Sequence, residues 1–385
     1  MNPRLYILPL APFAFGTSAY VFTGLLEPMA SDLDVSIAAA GQLQTAFAVA
    51  CAIGGPMLAR MTGQYDRRLL LVTVMGIVLL TNIASALAPG FSFLVAARIA
   101  AGFLGALTVP LASMIAVGLV APEKRASALA IIFAGNTMAF LLGVPLGSVI
   151  GDLFGWRGSF WFAACISAIV LAAIAAFAPR VPLPPPPPAG AFRMALSGAN
   201  SKLMLLTLLA FIATFTTVAF VGPVVTLSTG LTGGAIAAMQ VFVGLGSIAG
   251  LALGARLAGM AARKTIAVLA AVIIATQMIY VMGMRADLGV IDIPLFALVT
   301  VFSAGALFAM APITQVRLAA AAGPAATVAF ALNGSMIFLG QGLGAALGGS
   351  VIAFSSLPAV GYAGALVAFS ALCLALTLSN DADRT

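Results

Sequence analysis

Histidine is missing altogether from these 385 residues, and charge is scarce, with Asp, Glu, Lys and Arg together at 7%. Without imidazole the chain lacks the commonest general base, the usual metal ligand and the side chain that titrates near neutrality. Cysteine is almost as sparse. Cys51, Cys165 and Cys373 stand singly in apolar stretches, odd in number and at no metal-type spacing, so they read as packed or lipid-facing thiols. There is no glycine-rich phosphate loop, which argues against direct use of a nucleoside triphosphate. No cluster of nucleophiles or carboxylates makes a catalytic constellation, so the sequence predicts a non-enzyme with no cofactor and no metal site.

What fills the chain instead is apolar: 63% of residues are hydrophobic and mean hydropathy is +1.18. Soluble chains carry roughly 45–50% apolar and about 25% charged residues. A water-exposed surface could not be built from this composition, whereas a bilayer is itself the apolar solvent. Since about 20 apolar residues cross the hydrocarbon core, runs between polar breaks predict twelve helical spans, near 5–28, 41–61, 69–89, 93–117, 126–151, 159–179, 203–225, 235–255, 265–284, 293–314, 326–352 and 359–378. The first run begins after Arg4 and continues to about Leu26, longer than a signal-peptide core, and is expected to be a retained helix. The longest break holds five consecutive prolines, Pro184 to Pro188, which cannot be helical. It divides the chain into an N-terminal half, 1–179, a linker, 180–202, and a C-terminal half, 203–385.

Charge sets the orientation. Alternate loops hold Arg4, Arg60, Arg67, Arg68, Lys124, Arg125, Arg180, Arg193, Lys202, Arg256, Arg263, Lys264, Arg317 and Arg384, 14 of the 17 basic residues, while the opposite loops hold only Arg157 and Arg285. The positive-inside rule then predicts both termini and the linker in the cytoplasm of a multi-pass inner (plasma) membrane protein of a bacterium. The net charge of +7 is thereby a topology signal, with nothing left over for nucleic acid.

The halves repeat one another. A shift of 196 residues superposes Gln44 on Gln240, Gly54 on Gly250, Arg60 on Arg256, Gly63 on Gly259 and Arg67-Arg68 on Arg263-Lys264. A shift of 197 superposes Phe133 and Asn136 on Phe330 and Asn333, and Gly143, Gly147 and Gly151 on Gly340, Gly344 and Gly348. Parallel six-helix halves suit alternating access around a midplane site. The expected fold is therefore an all-α membrane protein of twelve transmembrane helices in two pseudo-symmetric halves.

These residues resemble the major facilitator superfamily, and more narrowly its twelve-helix drug/proton antiporters and sugar or arabinose efflux relatives. The loop Gly55-Pro56-Met57-Leu58-Ala59-Arg60, Gly63 and Asp66-Arg67-Arg68 resembles the family's glycine-and-basic loop, with Ala59 near where that loop carries an acid. Leu94, Arg98 and Gly102 resemble its fourth-helix signature. Gly143-Val144-Pro145-Leu146-Gly147, Gly151 and Gly155-Trp156-Arg157 resemble the antiporter signature of the fifth helix. Efflux relatives usually have an acid at the place of Ala19. The resemblance implies export rather than uptake, a monomer, and first and fourth helices that both line the cavity.

An ionisable group within a membrane span is costly and is a functional candidate by default. Glu27 and Arg98 are such groups, and with Asp66, which stands near the missing loop acid, they form the predicted proton-coupling set. Glu27 shares a helical face with Gly16, Tyr20 and Thr23. The sequence reading pairs Glu27 with Arg98 across two neighbouring helices. Tyr20, Thr23, Asn136, Phe211, Phe215, Asn333 and Gln341 are the predicted cavity residues, with Phe15, Phe308, Gln277, Thr214 and Thr217 behind them. Gly143, Pro145, Gly147 and Gly151 are predicted to act as a hinge or as a seal between the halves. The remaining acids, Asp32, Asp34, Asp152, Asp287, Asp292 and Glu123, are placed in loops, and Asp381 and Asp383 in a solvated tail. The predicted function is proton-coupled efflux of a small uncharged or amphipathic molecule; the alternative is a facilitator or importer without proton coupling. The partners are the substrate, protons and the lipid bilayer.

Overall fold

The computed structural model describes residues 3–121, 124–182, 190–286 and 289–378. The proline run Pro184 to Pro188, Glu123, Asp287, Asp381, Asp383 and Arg384 lie outside them. The described chain is helical throughout, and eleven stretches are long and apolar enough to cross a membrane. One of these, Gly289–Phe354, has 66 residues, more than twice what a bilayer needs. It is two helices, broken where Gly323 takes φ +50° and a 3-10 turn, Gly323–Ala325, follows. Twelve membrane helices result.

They are α1 (Leu10–Tyr20, a 3-10 turn Thr23–Leu25, then Leu26–Asp32), α2 (Ile37–Met61), α3 (Arg67–Ala86), α4 (Phe91–Gly105 and Thr108–Gly118), α5 (Arg125–Met138, a π turn Ala139–Gly143, then Val144–Phe154) and α6 (Trp156–Phe177). Then come α7 (Gly198–Val218 and Val221–Thr229), α8 (Gly234–Leu257), α9 (Ala262–Arg285), α10 (Asp292–Ala322), α11 (Ala326–Phe354) and α12 (Ala359–Leu376). Every predicted span has its helix.

Four of these helices are interrupted, and proline explains where. A proline has no N–H for the carbonyl four residues back and its ring crowds that carbonyl. Pro28 faces Gly24 inside the α1 turn, Pro110 faces Ala106 at the α4 break, and Pro223 faces Ala219 at the α7 break. Pro145 faces Leu141 inside the π turn of α5, where the Val144 N–H reaches back five residues to the Ala139 carbonyl. Pro56 and Pro312, by contrast, sit within continuous helix.

Lipid gives helices no hydrophobic reason to associate, so small residues that let backbones approach carry the packing. The repeated glycines do this in matching places. A Cβ on Gly54 of α2 would strike the Phe103 carbonyl of α4, and one on Gly250 of α8 would strike the Gly305 carbonyl of α10. Gly143, Gly147 and Gly151 of α5 seat on Thr17, Val21 and Leu25 of α1; Gly340, Gly344 and Gly348 of α11 seat on the Leu208–Phe211, Ile212–Phe215 and Thr216–Phe220 ridges of α7. Between α1–α6 and α7–α12 runs a seam where α2 packs on α11 and α5 on α8.

A candidate transport cavity on the seam

The breaks in α1, α5 and α7 meet at one place. Around it lie Tyr20 and Thr23 of α1, Phe140 and Val144 of α5, Phe215, Val218, Ala219 and Val221 of α7, and Gln240 and Val243 of α8, leaving a cavity of about 20 Å³ between them. That is room for about one water and far below the roughly 300–1,000 Å³ of a small-molecule site, so the structure holds this place closed down. The Tyr20 ring lies 4.8 Å from Phe140 and 6.0 Å from Phe215, centroid to centroid, and Phe211 stacks on Phe215 at 6.0 Å. The Tyr20 hydroxyl donates to Gln341 Oε1 at 2.7 Å, joining α1 to α11 across the seam. The Thr23 hydroxyl donates to the Tyr20 carbonyl at 2.9 Å. Ser148 of α5 donates to Gln240 Oε1 at 2.7 Å, a second bond across the seam. The Gln240 Nε2 group is buried and has no hydrogen-bond partner among the described residues. The cavity thus offers aromatic faces and one unspent amide donor, and no lining residue carries a charge.

The seam contacts extend from mid-height toward the end opposite the basic loops. Val49 meets Gly342 and Leu141 meets Gly244 near the middle; Gly41 meets the Phe220 ring, Gly24 meets Gln240, and Gly222 meets the Gly24 carbonyl further out. At the far end the Asp152 carboxylate accepts from the Gly234 N–H at 2.8 Å, at the start of α8.

The structure brings together Tyr20, Thr23, Phe211, Phe215 and Gln341 of the predicted cavity residues. Asn136 and Asn333 do not line the cavity: the Asn136 amide packs on Gly16, and Asn333 is buried in α11. Gln277 is spent on structure, accepting from Thr217 and donating to the Ala213 carbonyl. Thr214 is buried in α7 outside the cavity lining. Phe15 makes an edge contact with Phe338, and Phe308 with Phe140. Sequence reasoning missed Phe140, Gln240 and Ser148 as site residues. Gln240 carried a signal, an amide within an apolar span at the repeat position of Gln44.

Arg98 is fully buried, and it does not pair with Glu27. Its Nη1 donates to the Ser18 carbonyl at 2.8 Å and its Nη2 to Ser85 Oγ at 3.1 Å and Asn82 Oδ1 at 3.5 Å, with the Phe160 ring 4.9 Å from the guanidinium. Ser18 also donates to Asn82, which donates to Ser167, so the guanidinium ties α4 to α1 and α3, and through Asn82 to α6. Glu27 fails as a partner by height. It lies nine residues beyond Ser18, roughly 13 Å at helical rise, where it is half-buried and in no ion pair among the described residues.

The glycines of α5 do not seal the seam as expected, because they face α1 of their own half; Leu141, Ser148 and Asp152 face across it. The loop motif is a set of caps and clamps. Asp66 accepts from the Leu69 N–H at 2.8 Å as the cap of α3 and lies 3.9 Å from Arg180. Arg67 donates to the Thr62 and Gly63 carbonyls, and Arg68 to the Ala175 carbonyl of α6. Gly55 is half-buried and Arg60 exposed. Trp156 and Arg157 both donate to Asp32, clamping α6 to the end of α1. Asp292 is not a loop acid: it opens α10 and is 8% exposed.

Comparison with known proteins supplies the setting for this geometry. Residues 10–323 match the family model described as Major Facilitator Superfamily. The chain is 34% identical over 355 residues to a chloramphenicol resistance protein of Streptomyces lividans, covering 89% of this chain and 86% of that one. It is 31% identical over 355 residues to the inner membrane transport protein YdhP of Escherichia coli K12, covering 90% and 88%. Among solved structures, a D-xylose-proton symporter superposes with a TM-score of 0.75 at 16% identity, over 99% of this chain and 98% of that one.

Proposed function

The chain belongs to the major facilitator superfamily and is a multi-pass membrane transporter, not an enzyme; from that premise we propose that it exports a small, uncharged, aromatic or amphipathic molecule in exchange for protons. The observation that carries the reading is the cavity itself: an aromatic box with a free amide donor and no charged lining residue. Widened by a movement of the halves, such a lining suits a flat apolar ring that bears an acceptor oxygen. A dication would be left uncompensated there. The relative named for chloramphenicol resistance supports a ligand of this kind.

In this reading the basic loops face the cytoplasm, as the positive-inside rule requires, and both termini lie on that side. The structure's seam contacts then close the outer end. The halves 1–179 and 203–385, joined by the linker 180–202, rock about the cavity in a monomeric protein, and the breaks in α1, α5 and α7 let the outer segments tilt. An uncoupled facilitator is the second reading, favoured by the lack of any carboxylate among the cavity residues.

The test uses proteoliposomes holding purified protein, with chloramphenicol as probe and an imposed pH gradient. Gradient-driven accumulation that falls at least tenfold in Tyr20→Ala and Gln240→Ala is expected. Equal accumulation with and without the gradient would establish the facilitator instead. Accumulation unchanged in both variants would move the substrate site elsewhere.

A further inference from the structure

Gln44 of α2 is wholly buried, and neither its Nε2 nor its Oε1 has a hydrogen-bond partner among the described residues. A buried amide left unpaired is costly, so a glutamine kept in this way calls for a partner that comes and goes. Its direction follows from its helix. α2 turns Phe47, Ala50 and Gly54 to α4, where Gly102 and Phe103 approach them, and turns Gly41 and Ala48 to Phe220 and Gly342 of the other half. Ile53, 57% exposed, marks the lipid side. Gln44 stands nine residues before Ile53, about two and a half turns, which puts it on the opposite side of the helix, toward the centre of the bundle.

The internal repeat gives the same direction independently. Gln44 stands ten residues before Gly54, as its mate Gln240 stands ten before Gly250, and those two glycines take matching seats on α4 and α10. α2 and α8 are therefore turned alike, and Gln240 faces the cavity. The mates differ in one respect. Gln240 Oε1 accepts from Ser148 across the seam. The shift that superposes Gly147 and Gly151 on Gly344 and Gly348 carries Ser148 to Ala345, which is buried and has no hydroxyl to offer. The repeat keeps the amide on α2 and drops its partner. Gln240 is left with a free donor, Gln44 with both a free donor and a free acceptor.

We infer that Gln44 is a second substrate contact, matching Gln240 from the other half of the molecule and engaged when the halves part and the cavity widens. The assignment rests on the substrate reading above and narrows it. The ligand is a neutral molecule with an acceptor oxygen for Gln240 at one end of an apolar ring and a hydroxyl or an N–H-bearing amide for Gln44 at the other. Such a group gives one hydrogen bond and takes another, as the two free ends of the Gln44 amide require. A carboxylate only accepts and an ammonium only donates, so either would leave one end of that amide unpaired. Chloramphenicol is of this class, with a nitro group at one end of its ring and hydroxyls and an amide at the other.

The test is binding of radiolabelled chloramphenicol to the purified protein, with nitrotoluene as a competitor that keeps the nitro-bearing ring and lacks the hydroxyls and the amide. No binding of chloramphenicol by the wild type would defeat the substrate reading itself. With wild-type binding present, Gln44→Leu is expected to raise the Kd for chloramphenicol about tenfold and to leave competition by nitrotoluene unchanged. Gln240→Leu is expected to weaken both compounds. The unfolding temperature of Gln44→Leu should not fall, because leucine leaves no unpaired amide behind. Chloramphenicol bound by Gln44→Leu as tightly as by the wild type would overturn the inference. So would an equal loss for both compounds, or a loss that comes with a lower unfolding temperature, because either marks Gln44 as a packing residue that shapes the site without touching the ligand.

Discussion

Arg98 shows how one residue can be costly and still structural. A guanidinium in a membrane span needs acceptors, and Ser18, Ser85 and Asn82 supply them to its two Nη groups from two other helices, leaving Nε without a partner among the described residues. Hydrogen bonds to charged groups are worth about 1.5–3 kcal/mol each, so Arg98→Met, which keeps the stem and removes the fork, should cost about 3 kcal/mol or more. Arg98→Lys should fall between, since an ammonium cannot reach the Ser18 carbonyl and Ser85 with the same planar fork. Thermal unfolding in detergent measures both, and a Met variant as stable as the parent would contradict the account. That Arg98 matters was legible in the sequence, because a lone cation in an apolar run stands out. Its partners were not, because Ser18, Asn82 and Ser85 come from spans whose rotations and relative heights no single run records. The expected pairing with Glu27 failed on height alone.

Among the helices, the lesson concerns which face each one turns to its neighbour. The glycine ladder of α5 was legible as a close approach, since Gly143, Gly147 and Gly151 recur at helical spacing and repeat in α11. What it approaches was not legible: α1, rather than the opposite half. The four proline-linked breaks follow a local rule that the sequence did contain, yet Pro56 and Pro312 leave their helices continuous, so tertiary packing decides which prolines interrupt. The cavity grew out of three of those breaks, which is why Phe140 and Gln240 escaped notice. A direct test compares two glycines. Gly147→Val would drive its side chain into Val21, and overpacking costs typically about 1–3 kcal/mol; a lower unfolding temperature and slower transport are expected. Gly55→Ala, whose Cβ would meet only Ala106 at 3.9 Å, should change stability by less than about 0.5 kcal/mol. Equal effects from the two would show that the ladder does not set the α1–α5 distance.

For the whole molecule, composition and the internal repeat were enough to reach twelve helices and a two-part bundle, because span length and offset are one-dimensional properties. The state of the seam is not one-dimensional. It depends on which of two packings is the more stable, and a rocking transporter needs the two to lie within a few kcal/mol of each other. The structure holds the seam from mid-height outward through contacts that are small and few in kind: glycine seats, the Tyr20–Gln341 and Ser148–Gln240 bonds, and the Asp152–Gly234 bond. Bonds of this sort are worth about 1 kcal/mol net, which is strong enough to favour one packing and weak enough for substrate to reverse it. If the seam must open in each cycle, fixing it shut must stop transport. Gly349 of α11 meets the Gln42 side chain of α2, so cysteines at these two positions, in a chain with Cys51, Cys165 and Cys373 replaced by Ala or Ser, are placed to be bridged. Oxidation should abolish chloramphenicol exchange in proteoliposomes, and a reductant should restore it. Undiminished exchange by the bridged protein would mean that the α2–α11 contact stays closed throughout the cycle, and that the halves move about it rather than apart from it.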